Sequence, residues 1–138
     1  MSRFLLDTNI ISEPVRMRPN PAVISKLQQY DGEVAISSIT WHELLFGCYR
    51  LPASRRRERV EHYLREIVQP KIPILPYCHV ASEWFAVERA RLVSIGKTPA
   101  YADGQIAAIA KVNSLTLVTN NISDYADFSE LSPENWFV

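Results

Sequence analysis

Cysteine, glycine, charge of one sign and long apolar runs are all scarce in this chain, and each scarcity removes a class of protein. The two cysteines, Cys48 and Cys78, are isolated from one another and from any metal-ligand spacing, which excludes a disulfide scaffold and suits a reducing cytosol. The four glycines form neither G-x-x-x-x-G-K-[ST] nor G-x-G-x-x-G, so no phosphate-cradling loop is encoded. No apolar run approaches the roughly 18 residues that a membrane span needs. The first residues lead directly into a strand-like segment with no room for a signal peptide, and a cytoplasmic protein is expected. Net charge is zero, 15 basic residues against 15 acidic ones, so affinity for a polyanion must come from a local patch or a bound metal.

Several catalytic patterns are begun and not finished. His42-Glu43 opens like the zinc-protease H-E-x-x-H, but Phe46 stands where the second histidine belongs. His42, His62 and His79 are scattered, and Ser37 and Ser38 have no G-x-S-x-G context. Asp7-Thr8-Asn9 lacks the second acid of the aspartate-nucleophile phosphatases.

What is present is an ordinary globular composition, 47% apolar and 22% charged. At 138 residues the chain is expected to form one domain over positions 1–138. Short β-type runs alternate with helical patterns. "FLL" begins the first run, and Asp7 follows it, either beyond the end of a buried parallel strand or as the cap of a helix starting near Ile10. Asn20-Pro21 starts a helix through Val23, Ile24, Leu27 and Tyr30, with Gly32 ending it. A strand is expected over 33–38, and a helix opened by Thr40 follows, weakened or stopped at Gly47 or Pro52. Ser54 caps a third helix carrying Val60, Tyr63, Leu64, Ile67 and Val68, with Pro70 beyond it. A Pro-bracketed strand is expected over 72–77, a long helix over 79–95 closed by Gly96, a small-residue helix over 100–112, a strand over 115–119 and a short last strand in the terminal "NWFV". Such alternation implies a three-layer α/β/α domain around a mainly parallel sheet.

Acids recur at the junctions of these elements. Asp7 follows the first strand, Glu43 is expected in the first turn of the helix after the second, Asp103 opens the small-residue helix, and Asp124 follows "LTLVTNN". A parallel sheet gathers such junctions on one edge. Each acid also has a purely structural use: Thr40 and Glu43 form a formal capping box, Asp103 suits a helix dipole, and Asp124 suits a loop. Together they point to a hard divalent cation, because carboxylates about 4 Å apart repel by ~4 kcal/mol at an effective dielectric near 20. Mg²⁺ or Mn²⁺ suits oxygen-only ligands, polarises a phosphoryl oxygen and activates water. The run "RRRER" at 55–59 reads as a solvated helix face or as a patch contacting the backbone of single-stranded RNA. The indoles of Trp41, Trp84 and Trp136 read as core or dimer interface rather than base-stacking platforms.

"FLLDTNIIS", "AISSITWHELLFG", "IGKTPAYADGQIAAIA" and "LVTNNISDYADF" closely resemble, in order and spacing, the signature segments of the PIN domain, above all its VapC and FitB branch of type II toxins. The resemblance covers nearly the whole chain. It implies a small α/β endoribonuclease, usually a homodimer, that cuts RNA with acidic residues and Mg²⁺ or Mn²⁺. It places the metal-holding and catalytic acids at Asp7, Glu43 and Asp103, with Asp124 as the fourth, since Asn121 occupies the alternative position. Asn9, Thr119 and Asn121 are then expected to orient water or metal. It further implies a DNA-binding antitoxin whose C-terminal tail covers the catalytic edge, and the aromatic helix from Trp41 to Tyr49 is expected to form part of that tail's groove. The competing readings are another metal-dependent phosphoryl hydrolase and a non-catalytic PIN-like binding module.

Overall fold

The computed structural model describes residues 1–137. Strand β1 (Phe4–Leu6) pairs in parallel with β2 (Val34–Ser37) on one side and with β4 (Thr116–Val118) on the other, and β3 (Ile74–Leu75) extends the sheet beyond β2. The order is therefore β3-β2-β1-β4, all parallel. Side chains of consecutive strand residues point to opposite faces. Phe4, Leu6, Val34, Ile36 and Val118 enter one apolar cluster, while Leu5, Ala35 and Leu117 enter the other. Both faces are covered, which is why these strands read as unbroken apolar runs.

On the first face lie α1 (Thr8–Ile11), α2 (Pro21–Gln29), α3 (Ser38–Tyr49) and α4 (Arg55–His62), with Ile10, Val23, Leu44 and Trp136 buried among them. On the second lie α6 (His79–Ser94) and α7 (Tyr101–Val112), joined by Phe85, Leu92, Ile106 and Ile109. Close approach of these two helices depends on Gly104, where a Cβ would overlap the ring of buried Phe85. The expected three-layer architecture around a parallel sheet is what the chain forms.

Several boundaries differ from expectation, each for a local reason. The first helix starts at Thr8 rather than near Ile10, because Asp7 itself is its N-cap. α3 starts at Ser38, capped by the Ser37 hydroxyl, which accepts from the Thr40 N–H at 3.0 Å; the Thr40–Glu43 capping box does not form, and Glu43 lies beyond the first turn. Gly47 does not stop α3, which runs to Tyr49. The third helix does not end before Pro70: α4 passes into a wide π-helical stretch, Tyr63–Val68, and then into α5 (Gln69–Lys71), where Pro70 sits in the first turn, the position at which a missing N–H is harmless. The strand expected over 72–77 shrinks to Ile74–Leu75 between its prolines. The terminal "NWFV" forms no strand among the described residues, and Val138 lies outside them; the chain instead meets β4 through a single parallel bridge, Val118 to Glu134.

Candidate active site

β1 and β4 are neighbours that arrive from opposite ends of the chain order, and their carboxyl ends open a crevice at this topological switch point. Asp7 stands at the end of β1, only 7% exposed. Its Oδ1 accepts from the Thr8 backbone N–H at 2.8 Å. Its Oδ2 accepts from the Thr119 hydroxyl at 2.9 Å, the Tyr125 hydroxyl at 3.3 Å and the Asn9 side-chain amide at 3.5 Å. Thr119, at the end of β4, is fully buried, and its Oγ1 accepts from the Asn121 N–H at 3.0 Å, so its proton is free to point at Asp7. Asn9 Oδ1 accepts from the Asn120 N–H at 2.9 Å and ties the start of α1 to the loop after β4.

The other acids come from three further elements. Asp103 lies in the first turn of α7, half-buried, and its Oδ1 accepts from the Tyr125 hydroxyl at 3.4 Å. One phenol thus bridges Asp7 and Asp103, and the two carboxylates are at most two hydrogen-bond lengths apart. Burial first, then the charges of Asp124 and Asp7, raises the Asp103 carboxyl above its usual range; the Tyr125 bond opposes this and Glu43 adds to it. Burial, followed by the charges of Asp7 and Asp103, likewise keeps the Tyr125 phenol protonated and therefore a donor. Asp124 is exposed on the 3₁₀ turn Ile122–Tyr125 and shares with Asp103 a cleft of about 260 Å³. Glu43, half-buried on α3, accepts from the Thr8 hydroxyl at 2.7 Å.

All four acids singled out in the sequence therefore face one region, and Asn9 and Thr119 contact Asp7 directly. Asn121 contributes through its backbone N–H. Thr8 and Tyr125 were not singled out, although both are central to the hydrogen-bonding. The only local signal for Thr8 was its place after the first acid. The signal for Tyr125 was only its place beside Asp124, because nothing local says that its ring turns inward.

The donor set is uniformly hard oxygen, and Asp103 bears unneutralised negative charge around it, which fits Mg²⁺ or Mn²⁺. Among the described residues no three Asp, Glu, His or Cys side chains converge closely enough to hold one ion directly.

Away from the acids, an apolar groove of about 680 Å³ runs between α2 and the π-helical stretch, lined by Ile11, Ile24, Leu27, Tyr63, Ile67 and Ile72. The helix from Trp41 to Tyr49, expected to form part of a tail's groove, leaves Phe46 exposed beside Arg50, and its Glu43, Leu44, Gly47 and Cys48 line a separate cleft. Trp136 is core, stacked on Tyr30 and edge-on to Phe4. No helix among the described residues is long and apolar enough to cross a membrane.

The model of the PIN domain family matches residues 4–130. The chain is 36% identical over 134 residues to Toxin FitB of Neisseria gonorrhoeae, covering 94% of this chain and 96% of the relative. It is 32% identical over 137 residues to Ribonuclease VapC of Haemophilus influenzae, with 99% of each covered. The solved FitAB complex bound to a DNA fragment superposes with a TM-score of 0.90 at 30% identity, covering 98% of this chain and 96% of that one.

Proposed function

We propose that this chain, a member of the PIN domain family, is a metal-dependent endoribonuclease acting as the toxin of a type II toxin–antitoxin pair. The observation that carries the reading is that Asp7 and Asp103 share a buried phenol at the carboxyl ends of β1 and β4, with the charges of Asp124 and Glu43 also acting on Asp103. A purely structural acid has no need of three like charges beside it. Similarity to a named toxin and a named ribonuclease along nearly the whole chain supports the choice of substrate.

Asp7 and Asp103 would hold Mg²⁺ or Mn²⁺ directly, and Glu43 and Asp124 through water. When bound, such an ion lowers the pKa of a coordinated water and polarises a phosphoryl oxygen. The chain's own residues hold the geometry for this. Thr119 and Tyr125 aim Asp7, Thr8 aims Glu43, and the Asn121 N–H fixes the direction of the Thr119 hydroxyl. Asp124 is favoured over Asn121 as the fourth acid because its charge acts on Asp103, whereas Asn121 serves Thr119 through its backbone.

The partner in this reading is a DNA-binding antitoxin, supported by the likeness to FitAB bound to DNA. A tail guanidinium would fit the acidic crevice, pairing bidentately with carboxylate. The apolar groove beside α2 suits an amphipathic helix of the same partner. Val80 and Val87, both exposed and one above the other on α6, support a homodimer. A cytoplasmic location follows from a substrate that is cellular RNA.

The test is to incubate the purified chain with generic single-stranded RNA, with Mn²⁺ and with excess chelator. Cleavage only with Mn²⁺ is expected. Hydrolysis of phosphomonoesters with RNA left intact would favour the other phosphoryl hydrolase, and inertness toward both would favour a binding module.

A further inference from the structure

A second cleft, about 370 Å³, adjoins the acids on the α3–α4 side. Thr8 and Glu43, which belong to the candidate active site, form one part of its wall; Ser12, Arg16, Arg50 and Arg56 form another. The charge along it thus passes from carboxylate to guanidinium within a single cavity.

The arginines differ in how far they are already engaged. Arg16 lies 3.1 Å from the buried Glu13 carboxylate. Arg56 donates one N–H to the Val15 carbonyl at 3.1 Å, and Arg50 lies over the exposed Phe46 ring at 5.7 Å. Among the described residues neither Arg50 nor Arg56 has a carboxylate partner. A guanidinium carries five N–H donors, so one bond to a carbonyl leaves most of its fork open, and a ring leaves all of it. These two cations are held in place, uncompensated, beside a crevice that repels anions.

We propose that this cleft is a phosphate subsite for the substrate strand, in which Arg50 and Arg56 bind backbone phosphates flanking the bond to be cut. The proposal rests on the ribonuclease reading and deepens it. It resolves a difficulty in that reading: four carboxylates at the reaction centre oppose the approach of a polyanion, and a metal offsets that repulsion only where it sits. Arginines set to one side draw the flanking phosphates in and fix the strand's register without touching the reacting atoms. Phosphate contacts of this kind position a strand and carry no sequence information.

Salt dependence of RNA binding tests this. Cleavage is blocked with Asp7→Asn, and a fluorescent single-stranded oligoribonucleotide of mixed sequence is titrated by anisotropy from low to moderate salt. In that background Arg50→Ala with Arg56→Ala should weaken binding at least tenfold. It should also flatten the slope of log K against log salt by about 1.4, since each single-strand phosphate contact contributes roughly 0.7. Arg56→Lys, which keeps the charge, should keep most of the slope and guards against a merely structural effect of losing the Val15 bond. Arg3→Ala, at the amino ends of the strands and away from both clefts, should change neither quantity. If the native chain cuts RNA, yet the double variant binds with unchanged affinity and slope, the subsite is overturned and the ribonuclease reading stands. Loss of a co-expressed protein partner with RNA binding intact would assign the arginines to that partner and equally overturn it. If the native chain cuts no RNA, the underlying reading fails first.

Discussion

The Thr8 hydroxyl donates to Glu43 at 2.7 Å, so the first residue of α1 directly orients the acid on the helix after the second strand. Glu43 is half-buried, and this is a charge-assisted bond, of a kind that contributes about 1.5–3 kcal/mol. Thr8→Val keeps the shape and removes the donor. It should lower the unfolding free energy by about 1 kcal/mol and reduce Mn²⁺-dependent kcat about tenfold with KM little changed, while Thr8→Ser should restore most of both. Denaturant unfolding and steady-state cleavage check this.

Tyr125 is the other bridge. Its ring packs near Phe128, and Tyr125→Phe retains that packing while losing the hydroxyl between Asp7 and Asp103. The Tyr125 hydrogen bond is what pulls the raised Asp103 carboxyl downward. Without it Asp103 should titrate at higher pH, and the acid limb of the cleavage profile should move upward in the same direction. Carboxyl-carbon NMR of Asp103 in the metal-free chain reads the shift directly.

Gly104 couples packing to the site because it follows Asp103 and faces Phe85. Gly104→Ala drives a methyl into a ring that is 2% exposed and has little room to move. Overpacking of this sort destabilises by about 1–3 kcal/mol. The melting temperature should fall and α7 should shift, weakening Mn²⁺ binding as well. Paired Gly104→Ala and Phe85→Leu should recover part of the stability, which differential scanning calorimetry would record.

Much of this was legible beforehand. β1, β2 and β4 were readable because their apolar residues are buried on both faces, and helix starts at Asn20 and Ser54 were readable because their caps are local. Element ends were less so. Ser37 outcompetes Thr40 as a cap because β2 delivers it there, and the helix over Tyr63–Val68 widens in a way that no local pattern reports. The acids were visible as a set, since their positions at strand and helix ends follow from topology. Thr8 and Tyr125 were not, because a hydroxyl's role depends on which distant residue it meets: Thr8 lies 35 positions from Glu43, and Tyr125 lies 118 from Asp7. The arginine-lined cleft is legible only in part, as a basic run whose direction the helix decides.

Metal should stabilise the native chain. An ion that binds only the folded state adds about 2.7 kcal/mol at a hundredfold excess over its Kd. Millimolar Mn²⁺ added to metal-free protein should raise the melting temperature by several degrees, and Asp7→Asn should abolish most of that rise. An identical rise in Asp7→Asn would place the ion elsewhere.

The most direct test of the account is Asp103→Asn. Asp103 has a raised folded value, so the native state binds its proton more tightly than the unfolded chain does. The metal-free native protein therefore loses stability as pH rises from the unfolded value near 3.8 through the folded one, and the penalty is fully present above it. Removing the charge should make the metal-free variant melt higher than the native chain at pH 7, with the difference vanishing in acid. In the same preparation, Mn²⁺-dependent RNA cleavage should be lost. A stable Asp103→Asn protein that cuts RNA at the native rate would contradict the assignment of this acidic crevice as the active site.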